Sequence, residues 1–460
     1  MTDQQYPEMF SVEQKYGAWL DDEEREQVRE VKEFVEAEMI PRRNDYEGGW
    51  HKDADRAHEA IAEAYLGLTE LGVQRAPIPE SAGGLGLSNQ AVNAMKEEIS
   101  RSDSGITTAL GKIHWMAGIL GQARNERLME RFIPEVTGDS PKTATILITE
   151  EHGGANIEDG TQQSRPIKVT ARKEGDEYVI NGQKKWGGAG GPPEVFDTVF
   201  DDHLGYFVIT NMAPEKGEEG MAIFHVPPDA DGLQFSEPIQ KAGHAYTDRN
   251  IKYTFDDVRV PEAFRVDDPD RPMQAAHITH GAIMAGGKLA SAATLLGSAH
   301  AAMEIAMDWT ADRTIKGKPV RERPMFANKF GELARDIEGA RTYYMTVGGM
   351  IHDREAHGAL YERPLVGRAG AARSMAADVT TDAFDTAFQL MGSAGFAYEA
   401  DLDKLKRDTK IVQLWLGGSQ RDRLDMARAY HDHGWEAPEE FSWHYESEEA
   451  ATEGEVTSDD

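Results

Sequence analysis

The spacing of apolar residues changes twice along the chain and divides it into three regions. In residues 1–140 apolar positions recur every three or four residues, as at Val28, Val31 and Val35, which is the period of amphipathic helices. In residues 141–263 apolar and polar residues alternate, which is the period of half-buried β-strands. The first two regions are therefore predicted to be a helical domain and a β domain.

The helical period returns after the β region. Four segments carry it and predict a helical bundle over residues 264–433: 281–309, 326–355, 363–391 and 419–431. Residues 434–460 are acidic and aperiodic and are predicted to form a disordered tail. The predicted fold class is α+β, with helices at both ends of the chain and strands between them.

Three local signals place the ends of predicted elements. Ser88 precedes a helical segment and is predicted to be its N-cap. Pro134 is predicted to stop the short helix that begins near Asn125. Gly175 and Asp176 lie between two alternating segments and are predicted to form the turn of a β-hairpin.

The chain is strongly acidic. It has 81 acidic and 49 basic residues, and its formal net charge is −32. This charge disfavours nucleic acids and anionic membranes as partners. Because the acidic residues are spread along the whole chain, they predict a heavily solvated surface of the kind found in salt-adapted proteins. The chain has no cysteine, which removes disulfides and thiolate chemistry.

Neither a secretory signal nor a membrane span is predicted. The first ten residues lack a basic stretch followed by an apolar one, and no run of about 18 apolar residues occurs. Two histidine pairs, His277 with His280 and His431 with His433, have no third ligand nearby in sequence, so no metal site is predicted. We expect a cytoplasmic protein.

Glycine-rich segments at the ends of predicted elements carry candidate binding residues. "INGQKKWGGAGG" places Trp186 before clustered glycines, which leaves the indole little to pack against and favours a face open to a flat ligand. "QLMGSAGF" offers backbone N–H groups near Gly392 and Gly395 that can meet a pyrophosphate. Helix termination is the alternative interpretation of the same two glycines.

In their order along the chain, six segments resemble the acyl-CoA dehydrogenase superfamily. They are "PESAGGLGLS", "LITEEHGGAN", "INGQKKWGGAG", "FDDVRVP", "RTIKGKP" and the stretch that begins "QLMGSAGF" and ends "QRDR". The resemblance covers residues 20–430. It implies an N-terminal helical domain, a middle β-barrel and a C-terminal four-helix bundle, with FAD between the barrel and the bundle.

The resemblance also implies roles for individual residues. Thr149 is expected to hydrogen-bond the flavin ring, and Trp186 is expected to pack against it. Two further matches, Phe326 and Gln420, are expected beside the cofactor. The pyrophosphate and adenine half of FAD is expected to be held across a dimer interface by Arg313, Gln389, Gly392 and Gly395.

The sequence departs from the family around the redox centre. The family's usual base is a glutamate at the position of Leu416, whose side chain cannot take a proton although its backbone N–H can still polarise a thioester carbonyl. His280 occupies the other position at which members carry this glutamate, and imidazole can act as a base; His277 is the alternative if the alignment slips. Gly188 stands where the family has a threonine or serine near flavin N5.

The implied activity is the α,β-dehydrogenation of an acyl-CoA to a 2-enoyl-CoA. A base removes the α-proton while FAD receives a hydride from the β-carbon. The implied electron acceptor is an electron-transfer flavoprotein, and the implied assembly is a homotetramer or homodimer. Two alternatives stay open: altered flavin chemistry, by elimination or reaction with oxygen, and a catalytically silent partner subunit that binds acyl-CoA or flavin.

The acidic surface predicts that stability depends on salt. Added salt screens the repulsion among carboxylates, so the melting temperature followed by circular dichroism should rise by several degrees between about 0.1 M and about 2 M potassium chloride. Equal melting temperatures at both concentrations would contradict the interpretation as a salt-adapted surface.

Overall fold

The computed structural model describes residues 8–154, 166–188 and 202–431. Within them helices come first, strands follow and helices return, which is the predicted order. The predicted tail over residues 434–460 and His433 lie outside the described residues.

The N-terminal region packs six α-helices, whose apolar stripes form one side of a large core. Ser88 accepts a hydrogen bond from the Ala91 N–H at 3.2 Å, so the predicted N-cap is confirmed. The predicted stop at Pro134 is wrong, because burial of the apolar face that includes Phe132 and Val136 carries the helix two residues further. The helices are α1 Val12–Tyr16, α2 Asp22–Phe34, α3 Ala54–Glu70, α4 Asn89–Ser100, α5 Ser104–Ala123 and α6 Glu126–Val136.

The middle region contains two sheets that share a core. Strands β1, β4 and β5 form one sheet, in which β1 and β4 run parallel, and the other sheet has the antiparallel order β2-β3-β7-β6. The predicted hairpin is confirmed, since Glu174 pairs with Glu177 across the turn at Gly175. The strands are β1 Lys142–Leu147, β2 Thr170–Glu174, β3 Glu177–Gly187, β4 Asp202–Asn211, β5 Met221–Val226, β6 Leu233–Phe235 and β7 Ile251–Pro261.

The C-terminal region is again helical, with a short hairpin of β8 Thr314–Ile315 and β9 Lys318–Pro319 between two long helices. The four predicted segments correspond to α8, α9, α11 and α13, whereas α12 was not predicted. The buried face of α12 includes Lys404 and Asp408, which form an ion pair at 2.6 Å. Because charged residues occupy this face, the sequence does not show the apolar period of a helix there. The elements are α7 Gln274–Ile278, a π-helical segment Thr279–Ala285, α8 Gly286–Asp312, α9 Pro324–Met350, α10 Arg354–His357, α11 Arg363–Met391, α12 Leu402–Leu414 and α13 Gly418–Tyr430.

Two buried carboxylates of α4 hold neighbouring helices, one a helix of the bundle and the other a helix of the N-terminal region. Glu97 of α4 accepts hydrogen bonds from Arg341 Nη2 at 2.7 Å and from the Tyr344 hydroxyl at 2.6 Å, both on α9. Its neighbour Glu98 accepts from the Tyr16 hydroxyl at 2.8 Å and pairs with Lys15. Separating these helices would leave a buried charge without its partner, which is costly. The contacts therefore fix how α1, α4 and α9 pack.

His225 is a buried titratable group in the β region. Its Nε2 donates to the Leu204 carbonyl at 2.7 Å, and the rings of Phe132, Phe207 and Phe264 surround it. Burial lowers the pKa of His225 from 6.5 to about 4, so the folded protein holds this imidazole neutral.

This lowered pKa predicts a loss of stability in mild acid. The unfolded chain protonates His225 below its ordinary pKa of 6.5 and the folded chain only below about 4, so the contribution is complete above pH 6.5 and is lost as the pH falls. In urea unfolding, His225→Gln should reduce the difference in unfolding free energy between about pH 7 and about pH 5 by about 2 kcal/mol. His51→Gln, at an exposed position, is the control. An unchanged difference would contradict the prediction.

Candidate active site

The end of strand β3 presents Trp186 to the outside of the β region. Its backbone is left-handed, with φ of 66°, and its side chain is 42% exposed. The Asn250 amide holds the Trp186 carbonyl at 2.9 Å. A Cβ on Gly187 would lie 2.3 Å from Leu147 Cδ2, so this position requires glycine. The indole therefore offers a flat face on a constrained backbone, as expected for a residue that packs against a planar ligand.

Thr149 lies beside this strand end. It follows β1, and its carbonyl accepts a hydrogen bond from the Lys185 N–H at 2.8 Å, directly before Trp186. The next residue, Glu150, is buried and accepts from Lys184 Nζ at 2.8 Å. The structure thus brings Thr149 and Trp186 together, and Glu150 has a structural contact that occupies its carboxylate.

Gly188 faces an ion pair from two other elements. Lys112 of α5 pairs with Asp248, which lies in the segment before β7. A Cβ on Gly188 would lie 2.3 Å from both Lys112 Nζ and Asp248 Oδ1. Both ion-paired residues are buried, at 5% and 3% exposure. The space that a threonine or serine side chain would fill is therefore occupied by charged groups.

The segment between α12 and α13 contains Leu416 in a left-handed conformation, with φ of 51°. Arg373 donates to the Leu416 carbonyl at 3.1 Å and also contacts the Trp415 carbonyl, while its Nε donates to Asp422 at 2.6 Å. Trp415 Nε1 donates to Ser291 Oγ at 2.9 Å. Among the described residues the Leu416 N–H has no hydrogen-bond acceptor, so this donor remains available.

The Leu416 side chain packs into an apolar contact, with no acidic group beside it in the described contacts. A Cβ on Gly287 would lie 2.5 Å from Trp115 Cζ2 and 3.1 Å from Leu416 Cδ1, so both side chains meet over this glycine. Leu416 is 6% exposed. The position at which the resemblance predicts the family's glutamate is thus part of a hydrophobic wall between α5 and α8.

His280 lies in the π-helical segment and contacts a carboxylate. Its Nε2 is 2.9 Å from Glu218 Oε1, and both side chains are about four-fifths buried. Glu218 belongs to the connection between β4 and β5. A π-helical turn inside an α-helix is frequent at functional sites. His277 instead stacks on Tyr361, with ring centroids 3.8 Å apart, and burial lowers the pKa of His277.

Helix α5 places these groups along one side of the site. Lys112 contacts the Gly188 position, Trp115 contacts Gly287 and Leu416, and a Cβ on Gly118 would lie 3.7 Å from Ala282 Cβ. Residues three apart on a helix are surface neighbours, so these contacts follow one another along α5. His280 lies two residues before Ala282. Gly287, which Leu416 contacts, lies about two helical turns after His280.

The structure also describes the residues that the resemblance assigns to the rest of the cofactor. Of those expected at the pyrophosphate and adenine half, Arg313, Gln389 and Gly392 are exposed and Gly395 is buried. Of the two expected beside the cofactor, Gln420 is exposed and Phe326 is half-buried. Gly392 ends α11 with φ of 62° and has open space where a side chain would project. A Cβ on Gly395 would instead lie 3.0 Å from Met391 Cβ, so helix termination accounts for Gly395.

A basic cleft opens beside His277. Its volume is about 520 Å³, and its wall includes Arg124, Arg271, Arg354 and Tyr361. Within the described ranges, Arg124 and Arg354 form no ion pair. The cleft therefore combines positive charge with an aromatic surface, and it lies beside the place where α5 and α7 pack against each other.

Several residues of this site were not identified by the sequence analysis, among them Lys112, Asp248, Glu218 and Arg373. Lys112 could have been noticed as the only lysine, arginine, aspartate or glutamate in the stretch 104–123, whereas Asp248 and Glu218 lie in polar connections that look like ordinary solvated loops. Arg373 has no motif around it. Among the described residues no cluster of three potential metal ligands occurs, and no described helix is long and apolar enough to cross a membrane.

Two solved structures with high coverage share this fold. Butyryl-CoA dehydrogenase from Megasphaera elsdenii is 24% identical, with a TM-score of 0.73 over 89% of this chain and 98% of that one. A nitroalkane oxidase mutant is 20% identical, with a TM-score of 0.79 over 91% and 97% of the two chains.

Sequence comparisons identify the family. The family profile described as acyl-CoA dehydrogenase, N-terminal domain, matches residues 21–139, and the profile of the C-terminal domain matches residues 278–431. The probable acyl-CoA dehydrogenase YngJ of Bacillus subtilis is 25% identical over 411 residues, which cover 88% of this chain and 97% of that protein. The chain belongs to the acyl-CoA dehydrogenase superfamily and is an oxidoreductase of this flavoenzyme type.

Proposed function

We propose that this protein is an FAD-dependent dehydrogenase of acyl-CoA thioesters that forms the 2-enoyl-CoA. The observation that carries the proposal is the constrained, exposed indole of Trp186 beside Thr149, at the strand end where the superfamily holds its flavin. An inactive protein has little reason to keep a large aromatic side chain exposed on a left-handed backbone, which costs free energy.

The described residues fit FAD. Trp186 would pack against the flavin ring and Thr149 would hydrogen-bond it. Arg313, Gln389, Gly392 and Gly395 would meet the pyrophosphate and adenine half across a dimer interface, and Phe326 and Gln420 would lie beside the cofactor. Arg313, Gln389, Gly392 and Gln420 have the exposure that such contacts need. The bound cofactor supplies the hydride acceptor, its N5 atom.

His280 is the proposed base. When its Nε2–H donates to Glu218, the Nδ1 atom carries the lone pair that takes the α-proton of the thioester. The Glu218 carboxylate orients the imidazole and stabilises the imidazolium that forms, as a carboxylate partner does in other histidine-based sites. The His280–Glu218 pair thus supplies a carboxylate, which the sequence lacks at both positions where members of the superfamily carry one.

The Leu416 backbone supplies the second catalytic contact. Its N–H has no acceptor among the described residues, and Arg373 holds the following carbonyl in place. Donation of this N–H to the thioester carbonyl stabilises the negative charge that develops there when the α-proton leaves. Loss of the glutamate side chain leaves this contact intact, because it belongs to the backbone.

The basic cleft supports a substrate on a phosphate-bearing carrier. Arg124 and Arg354 have no competing carboxylates among the described residues, so they can pair with the phosphates of coenzyme A. An electron-transfer flavoprotein is the proposed electron acceptor. Homodimers or homotetramers are proposed because exposed apolar side chains, including Met325 at 70% and Phe396 at 76%, flank the dinucleotide residues.

One observation favours a second candidate function. Leu416 and Trp115 make the usual site of proton abstraction hydrophobic. Such a site suits a flavoenzyme that catalyses elimination or uses oxygen, or a silent subunit that binds the ligands without turnover. These alternatives predict a different response to saturated acyl-CoA.

Anaerobic titration of the FAD-loaded protein with saturated acyl-CoAs tests the proposed reaction. We expect at least one chain length to bleach the flavin absorbance, because α,β-dehydrogenation leaves the flavin reduced when no acceptor is present. A series of straight and branched acyl-CoAs in high salt identifies the substrate class. A spectrum that shifts on binding and never bleaches would overturn the dehydrogenation in favour of the second candidate.

Substitution of the proposed base tests its role. His280→Gln should slow flavin bleaching about 100-fold or more, and Glu218→Gln about tenfold, because the first removes the proton acceptor and the second its partner. His51→Gln, at an exposed position outside the residues assigned to the site, is the control and should leave the rate within about twofold. FAD stoichiometry is measured for each variant. A His280→Gln protein that holds FAD and bleaches at the wild-type rate would exclude His280 as the base.

A further inference from the structure

The ion pair beside Gly188 has properties that a purely structural contact does not require. Lys112 and Asp248 come from different elements and are both almost fully buried, which is costly for two charges. Burial lowers the pKa of Lys112, and the ion pair with Asp248 opposes this shift. The ammonium stands 2.3 Å from the Cβ position of Gly188, so it occupies the place of a side chain at this residue.

A second lysine makes the surroundings of this glycine positive. Lys241 Nζ donates to the Asp248 carbonyl at 2.5 Å, and burial lowers the pKa of Lys241 to about 8. Asn250, two residues after Asp248, holds the Trp186 carbonyl at 2.9 Å. Lys112 therefore lies at the Gly188 position, and Lys241 is connected to the same segment through Asp248 and Asn250.

We infer that Lys112 is a positioning residue for the flavin, and that its ammonium replaces the hydroxyl that the superfamily carries at position 188. This inference rests on the proposed function. An ammonium has three N–H donors, and Asp248 accepts from one of them, which leaves donors for the cofactor. The replacement also changes the charge at this position, since a hydroxyl is neutral.

The added charge has a defined effect on the cofactor. Reduction places negative charge on the flavin ring, and a nearby cation stabilises the reduced form relative to the oxidised form. Asp248 opposes this effect, since a carboxylate destabilises the reduced form. Substitution of Lys112 and substitution of Asp248 should therefore shift the redox equilibrium in opposite directions. If the pair only joined α5 to the loop before β7, the two substitutions would not have opposite effects.

The test measures the redox equilibrium of the bound flavin, not turnover. FAD-loaded protein is reduced anaerobically with dithionite in the presence of a reference dye, and the ratio of reduced to oxidised flavin is read from absorbance. Lys112→Met should lower this ratio at a fixed dye potential by about tenfold or more, and Asp248→Asn should raise it. Lys112→Arg keeps the charge and should stay within about threefold of the wild type.

A further variant covers the case in which Lys112→Met fails to hold FAD. Lys112→Gln removes the charge and keeps a polar side chain, so it should also lower the ratio.

The outcomes separate the inference from the proposed function. Wild-type protein that binds no FAD would overturn both. Wild-type protein that binds FAD, together with an unchanged ratio in FAD-loaded Lys112→Met or Lys112→Gln, would overturn the inference alone. Shifts of the same sign in Lys112→Met and Asp248→Asn would also overturn it, because loosening of a structural pair would then explain them.

Discussion

The packing of helix α5 is the constraint on which the site depends. This helix contacts the end of β3 through Lys112, the segment between α12 and α13 through Trp115, and the π-helical segment through Gly118. The three partners come from distant parts of the sequence, and α5 is the element common to their contacts. Small residues at the crossing, such as Gly287, let the helices approach closely enough for side chains from three regions to meet. A shift of α5 would therefore disturb the end of β3 with Trp186, the backbone at Leu416 and the proposed base His280 together.

Charged residues without access to water hold this arrangement in place. Arg373 joins α11 to the carbonyls of Trp415 and Leu416 and to Asp422 of α13. These contacts keep a non-glycine residue in a left-handed conformation, which is costly without such support. The described contacts thus show a firmly placed backbone at Leu416 with no acidic side chain beside it. That combination is easier to reconcile with a relocated base than with decay of the site.

The sequence predicts the fold better than it predicts the chemistry of the site. Periodicity predicted the order of helices and strands, and the motifs around Thr149 and Trp186 identified residues that the structure brings together. Helix α12 was missed because Lys404 and Asp408 satisfy each other inside the protein, so polar residues occupy a buried face. Glu218 and Asp248 were missed for another reason: each acts through a contact with a residue far away in sequence, and a single sequence carries no record of such contacts. Whether His280 is the base stays a prediction.

The crowding around Gly188 has a consequence for the divergence of this protein. A side chain cannot return to this position while Lys112 and Asp248 keep their present places. Reversion to a hydroxyl-bearing residue would therefore require at least two coordinated substitutions, and the intermediate with both a lysine and a threonine would be overpacked. Natural relatives should carry one arrangement or the other, so that the residues aligned with Lys112 and Gly188 vary together. The pair of positions would then mark a lineage within the superfamily.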